Sequence, residues 1–210
     1  MVLRQLPTQA RARQTVEQIL ATAGSLLAEV GTDGFNTNLL AERAGVTVPT
    51  VYRYFPNKMA VLEELARRLA TAWDGWFDDE LLADPSCDWR KVWCGYIDAF
   101  IAGIVAAPAG LAIRNALHST PELRHIEERD TNRLIERLTR AIRRREPSLE
   151  AKQVRACAEV LLISAIAVFD HALTGSARAR AARIEALKSM HLAFLESLLD
   201  SPSSKKGKHK

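Results

Sequence analysis

The sequence has little cysteine, and the cysteines that it has form no structural pattern. Cys87, Cys94 and Cys157 are an odd number, and no two of them make a Cys-x-x-Cys pair. Neither a disulfide framework nor a zinc site is therefore indicated, and we interpret all three as reduced thiols. We expect no metal and no cofactor.

Motifs of catalysis are also missing. The sequence has no Gly-x-Gly-x-x-Gly loop for phosphates and no Gly-x-Ser-x-Gly nucleophile turn. Glu122 and His125 have the Glu-x-x-His spacing of di-iron helical bundles, but such a site needs a second pair and two further glutamates, which we do not find. We therefore do not expect an enzyme.

A long hydrophobic run is the third absence. The most apolar stretch, residues 160–169, is about half of the roughly 20 residues that span a bilayer, so we expect it to be buried in protein. Residues 1–13 lack the apolar stretch of a signal peptide. The sequence thus predicts a cytoplasmic protein with no membrane partner.

Charge is unevenly distributed along the 210 residues, although the net charge is only +4. Counting Lys and Arg against Asp and Glu gives +2 for residues 1–60 (six against four) and −2 for residues 61–200 (19 against 21). Residues 201–210 carry four lysines and no acid, which gives +4. A basic amino-terminal end and a basic tail are compatible with DNA binding but do not establish it.

Helical periodicity runs through nearly the whole sequence, whereas strand-like alternation does not persist. From Val16 to Val30 apolar residues recur every three or four positions, and Gly31 ends this helix. Two short helices follow, which stop at Gly45 and Pro56, and longer helices make up the rest. We predict an all-α protein of about nine helices with a disordered tail at 201–210.

The segment 37–55 meets several requirements of a helix-turn-helix in register. Ala41 is the small residue where the two helices touch, and Gly45 tolerates the positive φ of the turn between them. Apolar residues around the turn have inward spacing, and Thr47 can cap the second helix. In this motif the second helix enters the major groove of DNA.

The outward residues of this motif form the predicted DNA-binding site. Its members are Thr37, Thr47, Val48, Pro49, Thr50, Tyr52, Arg53, Tyr54 and Lys58. Val48 and the methyl group of Thr50 can meet thymine methyl groups, and the threonine hydroxyls can meet base edges or phosphates. Both tyrosines can donate to phosphates, and Lys58 adds charge at the start of the fourth helix. For Arg53, a solvated surface charge is an equal alternative.

The stretch 41–58, AERAGVTVPTVYRYFPNK, resembles the signature of the TetR family of regulators, and the likeness extends over about residues 12–62. The resemblance implies a DNA-binding domain of three helices at 1–60 and a ligand-binding and dimerisation domain at 61–200. It also implies a homodimer on a double-stranded DNA operator. Pro49 departs from the small residues common there and removes a backbone donor, so the contact that relatives make at this point cannot be transferred.

A binding site for a small-molecule effector is predicted in the larger domain, where aromatic residues cluster. The candidates are Trp73, Trp76, Trp93, Phe100, Asn115, His118, Phe169 and Asp170. Such a cluster suits an apolar cavity in which a few polar groups orient the ligand, and the family resemblance implies the same. Ordinary core packing of the aromatic residues and surface positions for the polar ones are the alternatives.

The last two helices, about 149–173 and 178–199, are the predicted subunit interface, because apolar residues cover nearly all sides of the first and a wide face of the second. An Ala165→Glu substitution is expected to abolish the dimer. We predict a repressor that a small, largely apolar effector releases from a palindromic operator; a ligand-independent or activating regulator is the alternative. Deleting 201–210 would test a rival, a non-specific DNA binder that depends on the lysine tail.

Overall fold

The computed structural model describes residues 10–75, 77–106, 109–173 and 175–199, which form ten α-helices, one 3-10 turn and no strand. The helices are α1 Ala10–Gly34, α2 Thr37–Arg43, α3 Val48–Tyr54, α4 Lys58–Asp74, α5 Asp79–Ala83, α6 Trp89–Ala106, α7 Gly110–Ser119, α8 Arg124–Arg145, α9 Ala151–Leu173 and α10 Ala177–Leu199, with the 3-10 turn Pro121–Leu123 before α8. The all-α prediction is confirmed. The short helix α5 was not predicted, because its five residues are too few to show a helical period.

The helices form two compact units, and each unit is made of two separate stretches of the chain. The first unit contains the residues up to Trp73 together with Gly103–Arg129, and the second contains Asp74–Ala102 together with the residues from Asp130 onward. The first unit therefore reaches beyond residue 60, because α7 packs against α1. The functional boundary at residue 60 stays a prediction.

The core of the first unit joins the short helices α2 and α3 to α1, α4 and α7. Leu20 of α1, Val51 of α3 and Leu117 of α7 are all buried there. α7 can approach α1 closely because residue 24 is glycine; a Cβ at Gly24 would lie 2.9 Å from the Cβ of Ala109. The regular backbone of α1 is broken at Gly31, where φ is 66°, so the predicted stop is confirmed although one further helical turn follows.

The core of the second unit is built around α9 and α10, which pack against each other. Leu161 and Phe169 of α9 face this core together with Leu187 and Leu195 of α10. By length and composition α9 is apolar enough to cross a membrane, with a mean hydropathy of 1.8, but core helices of soluble proteins meet the same test. Its packing against α10 explains its apolar composition only on one side.

The burial predicted for residues 160–169 is therefore only partly correct. Val160 and Ile163 are 55% and 59% exposed, whereas Ala165 is 6% exposed and faces the core of its own protomer. A glutamate at Ala165 would disturb that core, so Ala165→Glu is the wrong probe of a subunit interface. Ile163, on the exposed face of α9, is the appropriate position.

Candidate functional site

The turn between α2 and α3 has the geometry that the sequence predicts. Ala44 ends α2, and Gly45 follows with a φ of 63°. The amide of Val46 donates to the carbonyl of Ala41 at 3.0 Å, which closes the turn. Ala41 and Val51 are 1% and 0% exposed, so the small and apolar residues lock the two helices together as expected. The helix-turn-helix is confirmed as a structure.

The start of α3 carries two threonines that bond to each other. Thr47 caps α3, because its Oγ1 accepts a hydrogen bond from the amide of Thr50 at 3.3 Å. The two hydroxyl oxygens lie 2.8 Å apart. Pro49 is exposed in the first turn, where proline is tolerated, while Val48 is half-buried against the core. This end of α3 therefore offers threonine hydroxyls and an exposed proline ring.

Tyr52 projects from the outer side of α3 and is 40% exposed. Its hydroxyl lies 3.1 Å from the hydroxyl of Thr37, at the start of α2. The sequence predicts a DNA contact for Thr37, but the structure places this residue beneath Tyr52, with 8% of its surface exposed. Thr37 is therefore placed to hold the Tyr52 hydroxyl rather than to reach DNA itself.

Tyr54 faces the core of the first unit and is only 5% exposed. The structure does not support its predicted phosphate contact, since the ring packs behind α3. Helical spacing is the signal that was missed, because Tyr54 follows the inward residue Val51 by three positions, whereas Tyr52 follows it by one. Arg53 is exposed, and its guanidinium carbon lies 5.8 Å from the centroid of the Tyr54 ring.

The first turn of α4 presents a lysine. Asn57 caps this helix, since its Oδ1 accepts a hydrogen bond from the amide of Ala60 at 2.9 Å. Lys58 is exposed, and its Nζ lies 3.5 Å from the carbonyl oxygen of Thr32. A positive side chain beside the amides of a helix start favours an anion such as a DNA phosphate.

An ion network around the buried Glu64 joins α4 to α1, and sequence reasoning missed it. Glu64 is 1% exposed and accepts hydrogen bonds from Nε of Arg67 at 2.8 Å and Nε of Arg68 at 2.9 Å. Arg68 also donates to Glu17 of α1 at 2.8 Å. Burial alone would raise the pKa of Glu64, but the hydrogen bonds from the two arginines outweigh it and hold the pKa below its usual value. Glu17 and Arg68 are 51 positions apart, so no spacing signal joins them.

Three of the predicted effector residues lie in the core of the second unit. Trp93 of α6 and Phe169 of α9 are 3% and 4% exposed. The ring of Phe100 stacks on that of Phe169 with 4.7 Å between centroids. Asp170, the next residue of α9, is half-buried. The two helices α6 and α9 thus bring part of the predicted set into one core.

Two further effector candidates lie in the first unit, and the side chains of the last two are not described. Asn115 and His118 are exposed on α7 in the first unit, and His118 Nε2 lies 3.0 Å from Glu127 Oε1. Trp76 and the side chain of Trp73 fall outside the described residues. Within the described ranges, no three His, Cys, Asp or Glu side chains are grouped closely enough to hold a metal ion.

Two family models match the chain, and both describe the same kind of protein. The model described as "Bacterial regulatory proteins, tetR family" matches residues 19–65, which contain the helix-turn-helix and the start of α4. The model described as "Tetracyclin repressor-like, C-terminal domain" matches residues 88–195, slightly more than half of the chain. The chain belongs to the tetR family. The resemblance read from residues 41–58 is confirmed, and so is the expectation that the protein is no enzyme, since the family consists of regulators.

Individual relatives of this tetR-family chain match it over segments. It is 34% identical over 97 residues to the tetracycline repressor protein class A from transposon 1721 of Escherichia coli, covering 45% of the chain and 42% of the relative. It is 36% identical over 107 residues to the HTH-type transcriptional regulator EthR of Mycolicibacterium smegmatis, covering 50% and 49%. The chain thus spans at most about half the length of these curated relatives.

A solved structure supports the fold over nearly the full length. The crystal structure of a TetR-family transcriptional regulator from Streptomyces coelicolor superposes with a TM-score of 0.61 at 24% identity. The match covers 88% of the chain and 99% of that structure. An N-terminal helix-turn-helix followed by a larger helical region is therefore the architecture that this tetR-family chain shares with its neighbours.

Proposed function

We propose that this tetR-family protein is a sequence-specific DNA-binding transcriptional regulator that acts in the cytoplasm as a repressor. The outer side of the helix-turn-helix is the observation that carries the proposal. Tyr52, Arg53 and Lys58 are exposed there, on helices whose inner sides are locked into a core. Polar and basic side chains on a rigidly packed helix suit the major groove and its phosphates.

The proposed contacts divide into two classes. Tyr52 and Lys58 bind phosphates. The Tyr52 hydroxyl is bonded to Thr37, and Lys58 lies at the start of α4. Thr47 and Thr50 meet bases, because their hydroxyls and methyl groups can recognise a base edge and a thymine methyl group. Loss of a phosphate contact therefore weakens binding to all sequences, whereas loss of a base contact changes the preferred sequence.

A second copy of the chain is the partner we assign to α9 and α10. The surface that we assign to this contact consists of the exposed apolar residues Ala156, Val160, Ile163 and Ala167 on α9, and Ala182, Ala186, Met190 and Ala193 on α10. Within each helix these positions recur every three or four residues and form one face. The alanines of this face permit close approach of a second helix. Its three larger residues are 50–59% exposed, and their burial against a second copy would stabilise the dimer.

Dimerisation gives the protein the symmetry of an operator. Two copies present two α3 helices, which fit half-sites about 34–36 Å apart on a palindromic duplex. We propose that a small, largely apolar effector binds among Trp93, Phe100 and Phe169 and favours an arrangement in which this spacing is lost. Only a difference in affinity between the two arrangements, on the order of 3–5 kcal/mol, releases the operator.

Tyr52→Phe and Tyr54→Phe are a matched pair that tests the DNA-binding face. Each removes one hydroxyl from α3, but Tyr52 is 40% exposed and Tyr54 only 5%. We expect Tyr52→Phe to weaken binding to every duplex by roughly 1 kcal/mol, or about five-fold, and Tyr54→Phe to leave it within about two-fold. Fluorescence anisotropy on a selected and a scrambled duplex measures both.

Two results would count against the proposal. Equal effects of the two substitutions would contradict the orientation of α3 towards DNA. Failure of the unsubstituted protein to bind any duplex at low ionic strength would overturn DNA binding itself, because phosphate contacts are strongest under that condition.

A further inference from the structure

The second unit contains a buried chain of hydrogen bonds that the proposed function does not use. Trp93 Nε1 of α6 lies 3.3 Å from Nδ1 of His191 on α10. Nε2 of His191 lies 2.9 Å from Oγ of Ser164 on α9. Ser164 Oγ in turn lies 2.6 Å from the carbonyl oxygen of Val160. His191 is 1% exposed and Trp93 3%, whereas Ser164 is half-buried, so the chain joins three helices and runs from their core to the surface of α9.

One placement of protons satisfies every member of this chain. An indole N–H can only donate, so Nδ1 of His191 must accept from Trp93. The neutral imidazole then carries its hydrogen on Nε2 and donates it to Ser164, whose hydroxyl donates onward to the Val160 carbonyl. Burial keeps the imidazole neutral, since it lowers the pKa of His191 to about 4. The direction of all three bonds is therefore fixed at both ends of the chain, by an indole that can only donate and a carbonyl that can only accept.

The chain contains residues that neighbour, along the sequence, the apolar face assigned to the second copy. Ser164 directly follows Ile163, His191 directly follows Met190, and Val160 belongs to the face itself. A buried polar chain with one satisfied arrangement restricts the register of the helices it joins, whereas apolar contacts alone tolerate small rotations. The orientation of the face thus depends on a hydrogen bond donated from α6.

We propose that this chain couples the position of α6 to the α9–α10 face through which two copies pair, with His191 as the positioning residue. When the Trp93 indole moves away, Nδ1 of His191 is left buried without a donor. An imidazole that turns to find another donor breaks its bond to Ser164, and α9 is then no longer held in one register against α10. Trp93 is also a proposed effector contact, so a ligand that displaces its indole reaches the dimer face by this route. The inference rests on the proposed dimer.

Trp93→Phe and Trp89→Phe test the coupling as a matched pair. Trp89 is 4% exposed, lies on the same helix and packs in the same core, and no hydrogen bond of its indole N–H is found in the part of the chain that the structure describes. Both substitutions remove the same apolar bulk, but only Trp93→Phe removes the donor to His191. We expect the dimer dissociation constant from sedimentation equilibrium to rise at least tenfold for Trp93→Phe and to stay within twofold for Trp89→Phe. Equal changes overturn the inference.

A double-substitution cycle separates coupling from simple loss of packing. Because Trp93 and Ser164 act through the same imidazole, Ser164→Ala should raise the dissociation constant of the unsubstituted protein but add less than twofold to that of Trp93→Phe. Additive effects would show that the two residues act independently and would overturn the inference. A monomeric unsubstituted protein would overturn the proposed dimer, and this inference with it.

The tautomer itself is measurable in the unsubstituted protein, independently of the dimer measurements. Nitrogen-15 NMR of the unsubstituted protein labelled at histidine distinguishes a protonated Nε2 from a protonated Nδ1. We expect His191, identified by the loss of its signal in His191→Gln, to carry its hydrogen on Nε2. A hydrogen on Nδ1 would be incompatible with the Trp93 bond and would overturn the inference even where the other variants fail to fold.

Discussion

The helix-turn-helix of the first unit and the core of the second unit differ in the range of their polar contacts. In the helix-turn-helix, polar contacts join near neighbours in the sequence, as Asn36 does with the amide of Leu39 and Thr47 with that of Thr50. In the second unit, Trp93 bonds to His191, 98 residues away. The proposed DNA-reading surface is therefore specified by consecutive residues, whereas the proposed dimer face is specified by the packing of distant helices.

A charge on the dimer face should produce the largest effect. Ile163→Glu places two carboxylates, one from each copy, in an apolar contact where no partner compensates their desolvation. We expect dimerisation to weaken by on the order of 3–5 kcal/mol while the protomer stays folded, because Ile163 is 59% exposed. Mass photometry measures the dimer fraction, and circular dichroism checks the fold.

Ala181→Glu is the matched control for this prediction. Ala181 is also exposed, but it lies on α10 away from the face formed by Ala182, Ala186 and Met190. We expect the dimer to survive this substitution. Dissociation by Ala181→Glu as readily as by Ile163→Glu would mean that the copies do not pair through this face.

Lowering the pH should reduce the folding stability of the second unit through His191. The expected loss lies between the effects of the charge on the dimer face and of the glycine substitutions. The pKa of His191 is lowered to about 4 in the fold from an unfolded value of 6.5, because the residue is buried. Between these values the unfolded chain binds the proton and the folded chain does not, so stability is complete above pH 6.5 and falls as the pH is lowered. The expected slope is about 1.4 kcal/mol per pH unit.

The window from pH 6.5 to 4.5 isolates this effect from the carboxylates. Glu17 and Glu64 have pKa values lowered by hydrogen bonds from arginines, so the stability that they add is lost only as the pH falls below 4.5. Urea unfolding of His191→Gln should lack the slope that the unsubstituted protein shows. His171→Gln, at an exposed histidine of α9, should keep it.

Alanine substitutions at two glycines, one in each unit, should change the free energy of unfolding least. Gly45 has a φ of 63° and Gly95 lies within α6, and a Cβ at either position would meet nothing within 4 Å. Only the backbone therefore decides the outcome. Gly45→Ala should destabilise the protein by about 1 kcal/mol, because alanine is strained at positive φ, and Gly95→Ala should stabilise it by roughly 0.5–1 kcal/mol.

Urea unfolding measures both glycine substitutions under the same conditions. Opposite signs would support the view that local backbone geometry defines the helix-turn-helix. Destabilisation of equal size at both positions would mean that the turn has no special conformational demand.

The sequence predicted the first unit better than the second for a physical reason. The cap at Thr47 and the positive φ of Gly45 depend on neighbouring residues and could be predicted directly. The inward position of Tyr54 was missed, although its spacing from Val51 contained the signal. The DNA-contact residues themselves remain proposals, because their partner is a duplex.

Contacts between distant helices could not be predicted at all from spacing. Glu17 bonds to Arg68 across 51 positions, and His191 bonds to Ser164 across 27. Such pairs form only once the helices have packed, so neither member shows a local pattern. The same limit applies to the effector candidates, of which Trp93 and Phe169 share a core while Asn115 lies exposed in the other unit.

Selection of bound duplexes from a randomised DNA pool at low ionic strength tests the central claim most directly. Two α3 helices related by a twofold axis should enrich a palindrome whose half-sites are centred about one helical turn apart, near 10 base pairs. Thr50→Ala should enrich a different half-site, because it removes a base contact and leaves the phosphate contacts intact. A pool that shows no enrichment, or a motif without twofold symmetry, would contradict the account.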